Sequence, residues 1–168
     1  MRHVVVMGVS GCGKTTVAER LGQRLGLVFA EGDAHHPKAN VDKMASGRPL
    51  TDEDRQPWLE TLAGWTREQH AAGSSTVLSC SALRRRYRDV LREAVPRTFF
   101  VHLHADFDVL AERMRHRAHF MPLALLESQF ETLEPLGDGE LGVRVDVTPP
   151  VDDVVAAAEA AILRQQRG

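Results

Sequence analysis

The chain has 168 residues, 43% of them hydrophobic and 26% charged, which is enough for one substantial core and sets the expectation of a single domain over 1–168. A net charge of -2 at pH 7 gives no global attraction for nucleic acid or an anionic membrane, so an anionic ligand must be held by local positive charge. No apolar run approaches the roughly 20 residues needed to span a bilayer, the start of the chain lacks the regions of a signal peptide, and Cys12 and Cys80 are too few for a disulfide framework, so a cytoplasmic location with reduced thiols is expected.

The first predicted element is a strand from Val4 to Met7. Val17, Leu21 and Leu25 then recur at a spacing of four, one apolar stripe of a helix that Gly26 can cap. A second strand runs from Leu27 to Ala30. Trp58, Leu59, Leu62 and Trp65 mark a further helix; Pro57 fits only its first turn, which makes Asp54 the expected N-cap. Strands from Ser75 to Ser79, Thr98 to Leu103 and Val143 to Val147 alternate with helices over Tyr87 to Ala94, Phe107 to Arg115, Pro122 to Leu133 and Val151 to Leu163. That alternation predicts an α/β fold with a parallel sheet covered by helices.

Gly8-Val9-Ser10-Gly11-Cys12-Gly13-Lys14-Thr15 matches GxxxxGK[ST] between an apolar strand and an amphipathic helix, the context that gives the pattern its meaning. The glycines let successive backbone N–H groups face phosphate oxygens, and the helix N-terminus adds partial positive charge. ATP is therefore the expected nucleotide, with Gly8 through Thr15 and the adjacent Thr16 around its phosphates. Lys14 reaches the β and γ phosphates and the Thr15 hydroxyl ligates Mg²⁺.

The third strand ends Leu78-Ser79-Cys80-Ser81, without the carboxylate that many such enzymes use near the metal. Glu31 and Asp33 instead close the second strand, at the edge where ligands bind, which suits a kinase of small metabolites. If the extended conformation persists through Gly32, both carboxylates face one site and spacing alone does not assign their roles. His102 and His104 share a strand face and read as a packed or surface pair rather than a metal site.

Gly32-Asp33-Ala34-His35-His36-Pro37, Asn40, Lys43-Met44, Gly47, Pro49-Leu50, Asp52, Asp54-Arg55 and Pro57-Trp58-Leu59 resemble the gluconokinase family. Cys80-Ser81-Ala82-Leu83, Tyr87-Arg88-Asp89, His119-Phe120-Met121-Pro122 and Ser128-Gln129-Phe130-Glu131 extend the resemblance over the whole chain. It departs at Glu31, where Asp is common, at Arg84, where Lys is common, and at Ala118, where Gly is common.

The resemblance implies a P-loop fold with a five-stranded parallel sheet, similar to shikimate and nucleoside monophosphate kinases, a helical acceptor-binding region over about 34–72, and a lid over about 113–122. It implies transfer of the ATP γ-phosphoryl group to the 6-hydroxyl of D-gluconate with Mg²⁺, and a homodimer. A kinase of shikimate or another sugar acid, or a protein that binds ATP without transferring phosphate, stays open as an alternative.

Asp33, in the more specific block, is assigned to the 6-hydroxyl, and Glu31 to Mg²⁺ through a bound water. Lys14 and a lid arginine, Arg117 ahead of Arg113, neutralise the transferring group. Lys43, Arg55, Arg84 and Arg88 are candidates for the substrate carboxylate, while His36 and Gln129 are candidates for its hydroxyls. Asp146-Val147-Thr148-Pro149-Pro150 resembles the adenine-side loop of related kinases; Pro150 either packs on the base opposite Arg113 or stiffens a plain turn.

Overall fold

The structure, a computed structural model, describes residues 1–116 and 123–165. The expected lid is therefore described only as far as His116, and Arg117, Ala118 and the His119-Phe120-Met121-Pro122 block lie outside the described residues.

Five strands, β1 (His3–Met7), β2 (Val28–Glu31), β3 (Thr76–Ser79), β4 (Phe99–His104) and β5 (Gly142–Asp146), pair in parallel in the order β2-β3-β1-β4-β5. β1 and β3 are buried at every position, as strands covered on both faces must be. Each expected strand forms, displaced by no more than one residue at either end. Because β2 and β3 lie on one side of β1 and β4 and β5 on the other, the loop after β1 emerges where the sheet changes winding direction, the place where α/β folds bind ligands.

Helix α1 (Lys14–Leu25) buries Val17, Ala18 and Leu21 and ends at Gly26, matching its apolar stripe. It packs on β1 and β3 and beside α7 (Val151–Gln165), with Arg20–Asp152 and Arg24–Glu159 ion pairs along the shared edge. Helices α4 (Arg85–Ala94), α5 (Phe107–Arg115) and α6 (Leu123–Thr132) occupy the predicted places. No helix among the described residues is long and apolar enough to cross a membrane.

The start of α3 (Asp52–Ala71) differs from the expectation. Its N-cap is Thr51, and Asp54 is the third helical residue: the Asp54 N–H donates to Thr51 Oγ1 at 3.1 Å, and the Thr51 N–H donates back to Asp54 Oδ2 at 2.9 Å. The capping box satisfies two donors reciprocally, and Pro57 then falls in the second turn, where it has no N–H to give to the carbonyl of the exposed Glu53. Helix α2 (Lys38–Ala45) lies within the span of about 34–72 for which the resemblance implies helices, but no periodic pattern in the sequence marks it. Asn40 is its only buried residue, so it lacks an apolar core stripe to be read from sequence.

A polar cluster is buried beneath α4. Arg88 and Glu140, both closed to solvent, meet through Nε–Oε1 at 2.7 Å and Nη2–Oε2 at 3.0 Å, and Arg92 adds a third contact at 2.8 Å. Burial pushes the Glu140 carboxyl up, but hydrogen bonds from Arg88 and the Gly137 N–H, with Arg92 beside them, hold it down at about 2. Arg88 also donates to the carbonyl of Ala82 at 2.9 Å, and Ala82 is the one described non-glycine residue with positive φ, at 44°. A strained turn of this kind persists only where its surroundings fix it, and here a buried guanidinium does so.

His102 on β4 lies nearby, 1% exposed, with no partner for Nδ1 among the described residues. Burial, reinforced by Arg144, His104 and Arg88, lowers it from about 6.5 to about 4. Below pH 6.5 the unfolded chain takes up a proton that the native ring refuses, so the native state loses stability as pH falls from 6.5 toward 4. That loss is on the order of 3 kcal/mol. Chemical denaturation of His102→Leu across this window should show a shallower decline than the parent, whereas an unchanged slope would assign the acid sensitivity elsewhere.

Candidate active site

Two cavities flank the loop between β1 and α1. The first, of about 470 Å³, lies on the β2 and β3 side and is lined by Lys14, Asp33, His36, Arg55 and Gln129 over an apolar floor that includes Met44 and Leu125. The second, of about 590 Å³, lies on the β4 and β5 side and is lined by Gly11, Cys12, Gly13, Thr16, Arg113 and Pro150, among others. The glycine loop is the wall between them.

The loop takes the conformation its sequence requires. Gly13 precedes α1 with φ 83°, a left-handed state that a side chain disfavours, and the first turn of α1 follows with Lys14 on the first cavity and Thr16 on the second. Gly8 donates its N–H to the Ser81 carbonyl at 3.3 Å, which ties the loop to the end of β3. Lys14 rests its ammonium on the Val9 carbonyl at 3.2 Å, beside the first cavity. The Ser10 N–H donates to Gln129 Oε1 at 2.7 Å, so Gln129 of α6 contacts the loop itself as well as lining the first cavity. Cys12 is buried, its thiol donating to the Leu103 carbonyl at 3.3 Å. Burial, chiefly, pushes the Cys80 thiol up to about 12, so it stays protonated.

Glu31 and Asp33 do not share one face. β2 ends at Glu31, and Gly32–His35 turns into a short 3₁₀ segment, which breaks the strand alternation assumed from sequence. Glu31 accepts hydrogen bonds from the hydroxyls of Thr15 and Ser79, the latter at 2.7 Å. Asp33 lines the first cavity. Each of the two Glu31 carboxylate oxygens takes one of these hydroxyls. Ser79 is not among the expected site residues; its position at the C-terminal end of β3, where many such enzymes carry a carboxylate, is the available signal.

Around the first cavity, Trp58 donates Nε1–H to the Gly32 carbonyl at 2.8 Å and stacks on His36 with ring centroids 4.0 Å apart. Arg55 donates to the Leu50 carbonyl at 2.7 Å and to Tyr87 Oη at 3.0 Å, leaving its guanidinium on the cavity wall. The Tyr87 hydroxyl in turn donates to Asp52, whose carboxyl is held below its usual range chiefly by that bond.

Three of the basic residues proposed for the substrate carboxylate do not line this cavity. Lys43 pairs with Asp54 at 2.7 Å, and that bond together with the helix cap lowers the Asp54 carboxyl to about 2. Arg84 caps α4 and acts on Asp52 and Tyr87. Arg88 turns inward to Glu140. Only Arg55 remains from that set.

In the second cavity Arg113 donates to the Val147 carbonyl at 2.5 Å, which brings it beside the Val147–Pro150 loop after β5. Among the described residues no group of three or more His, Cys, Asp or Glu side chains is placed to hold a metal ion.

A family described as an AAA domain matches residues 4–136. A protein from Gluconobacter oxydans named gluconokinase is 55% identical over 145 residues, covering 86% of this chain and 82% of that one. A crystal structure of a gluconokinase from Sinorhizobium meliloti superposes with a TM-score of 0.89 at 48% identity, over 99% of this chain and 94% of that chain. Shikimate kinase from Aquifex aeolicus superposes at 0.69 and 14% identity over 98% of each chain, a likeness of fold. With a glycine loop set between two cavities and relatives this similar along nearly their full length, the chain belongs to the gluconokinase family of P-loop kinases.

Proposed function

We propose that this protein transfers the γ-phosphoryl group of ATP to the 6-hydroxyl of D-gluconate, forming 6-phosphogluconate and ADP, in the cytoplasm and as one kinase domain. The observation that carries the reading is the pair of cavities on opposite flanks of the loop, with Lys14 and Asp33 on the same one. In this reading the larger cavity takes the adenosine moiety between Arg113 and Pro150. The smaller takes the sugar acid, and residues 34–72 form its acceptor-binding region.

Transfer requires the 6-hydroxyl oxygen to approach the γ phosphorus in line with the bond to the leaving ADP oxygen. Asp33 accepts the hydroxyl proton as the new oxygen–phosphorus bond forms and the bond to ADP breaks. Lys14 leaves the Val9 carbonyl for the phosphate oxygens, where its charge offsets that of the transferring group. Arg55, the cation on the acceptor wall, holds the substrate carboxylate. The segment over 113–122 acts as the lid, with Arg117 as its cation.

Thr15 and Glu31 fit a magnesium ion: a hydroxyl and a carboxylate already in contact beside the loop, with Ser79 fixing the second carboxylate oxygen. The ion would be ligated by the Thr15 hydroxyl and, through water, by Glu31. When bound it neutralises charge on the β and γ phosphates.

An ADP-release assay across D-gluconate, shikimate, other sugar acids and nucleoside monophosphates tests the acceptor. The highest kcat/KM should fall on gluconate, with 6-phosphogluconate and ADP formed in equal amounts; preference for shikimate, or ATP binding without product, would overturn the reading.

The two carboxylates are separable by magnesium titration at saturating ATP and gluconate. Asp33→Asn should cut turnover by roughly 10²–10⁴-fold at every metal concentration, the usual cost of losing a general base. Glu31→Gln should raise the Mg²⁺ needed for half-maximal rate and recover with excess metal. Rescue of Asp33→Asn but not Glu31→Gln would exchange their roles.

A further inference from the structure

His36 lines the acceptor cavity with its ring stacked on Trp58, the planes 17° apart. Its Nδ1 lies 3.2 Å from Nδ2 of Asn40, a buried residue of α2. The same Asn40 nitrogen lies 2.9 Å from the backbone carbonyl of Asp54. A carbonyl can only accept, so this second contact fixes which way the Asn40 amide faces: turning it over would set two oxygens against each other. The amide nitrogen therefore offers its other hydrogen to His36, and Nδ1 must be the lone-pair nitrogen of the ring.

A neutral imidazole that accepts at Nδ1 carries its proton on Nε2. Burial lowers the His36 pKa below its ordinary value; Asp33 from the 3₁₀ turn opposes this and Arg55 from α3 reinforces it, which keeps the ring neutral at pH 7. Nε2 has no hydrogen-bond partner among the described residues.

We infer that Asn40 is a positioning residue that locks His36 as its Nε2–H tautomer, so that His36 serves as a fixed hydrogen-bond donor to an oxygen lone pair of the bound sugar acid. This deepens the proposed function and rests on its reading of the cavity. The chemistry is selective. Asp33 offers an acceptor and His36 a donor on the same cavity, a pairing met by a polyhydroxy acid, while an analogue lacking the matching oxygen leaves the Nε2–H unpaired. Asn40 performs this without touching substrate, through a chain that begins at a backbone carbonyl of α3.

The tautomer can be read by nitrogen-15 NMR of the ligand-free protein at pH 7.5, with His36→Phe used to assign the signals. The parent should show Nε2–H alone, and Asn40→Ala should show a mixture of tautomers. In steady-state assays His36→Phe, which keeps a ring on Trp58 but has no donor, should raise the KM for gluconate roughly 10–100-fold, the range for an unpaired buried hydrogen-bonding group. The KM for ATP should stay at the parent value. His36→Gln, whose amide nitrogen reaches the Nε2 position, should recover most of the loss, and Asn40→Ala should raise the KM for gluconate by less than His36→Phe does. An Nδ1–H signal in the parent, a tautomer unmoved by Asn40→Ala, or an unchanged gluconate KM in His36→Phe would overturn the inference. Failure of the proposed reaction would appear instead as absence of gluconate turnover in the parent, while the ligand-free spectrum still decides the tautomer.

Discussion

Gly32 lies so close to β3 that a Cβ at this position would stand 2.2 Å from the carbonyl oxygen of Ser79. Only glycine fits there, and much of the site is arranged around that approach. Its N–H reaches Ser79 Oγ at 3.4 Å, and its carbonyl accepts from the Trp58 indole. On one side of it Glu31 is held against the hydroxyls of Thr15 and Ser79; on the other, the chain turns and delivers Asp33 and His36 to the first cavity. A single close backbone contact thus separates two carboxylates that stand two apart in sequence, and lets each take different chemistry.

The same contact links the sheet to α3. Trp58 is fully buried in the core, yet its indole holds Gly32 and its face supports His36, so the position of α3 is transmitted to the cavity wall. The cap of α3 contributes as well: Asp54 closes the helix with its side chain, binds Lys43 of α2, and orients Asn40 with its carbonyl. Groups that look like ligands in the sequence, Lys43 above all, here join α2 to α3.

The parts legible in the sequence are those whose cause is local. The glycine loop, the stripe Val17, Leu21, Leu25 and the five β-rich runs are each decided by a few neighbouring residues, and each forms where expected. The parts that were not legible depend on distant partners. Within Arg84-Arg85-Arg86-Tyr87-Arg88 nothing local marks Arg88 as the buried one, because the carboxylate that selects it is Glu140, 52 residues away. Helix α2 carries no apolar stripe to mark it, because Val41 and Met44 line an open cavity rather than the core; only the resemblance implies helix there. The separation of Glu31 from Asp33 escaped because the turn at Gly32 is imposed by Ser79 of a neighbouring strand.

In the proposed reaction the loop divides donor from acceptor, and a magnesium ion held by Thr15 and Glu31 would lie toward the 6-hydroxyl end of gluconate, with the carboxylate toward Arg55. Paramagnetic relaxation tests this in one complex, using Mn²⁺ in place of Mg²⁺, a non-hydrolysable ATP analogue and uniformly carbon-13-labelled gluconate. Relaxation enhancement should be strongest at the carbon bearing the 6-hydroxyl and fall steadily toward the carboxylate carbon. An enhancement strongest at the carboxylate end, or uniform along the chain, would contradict this arrangement.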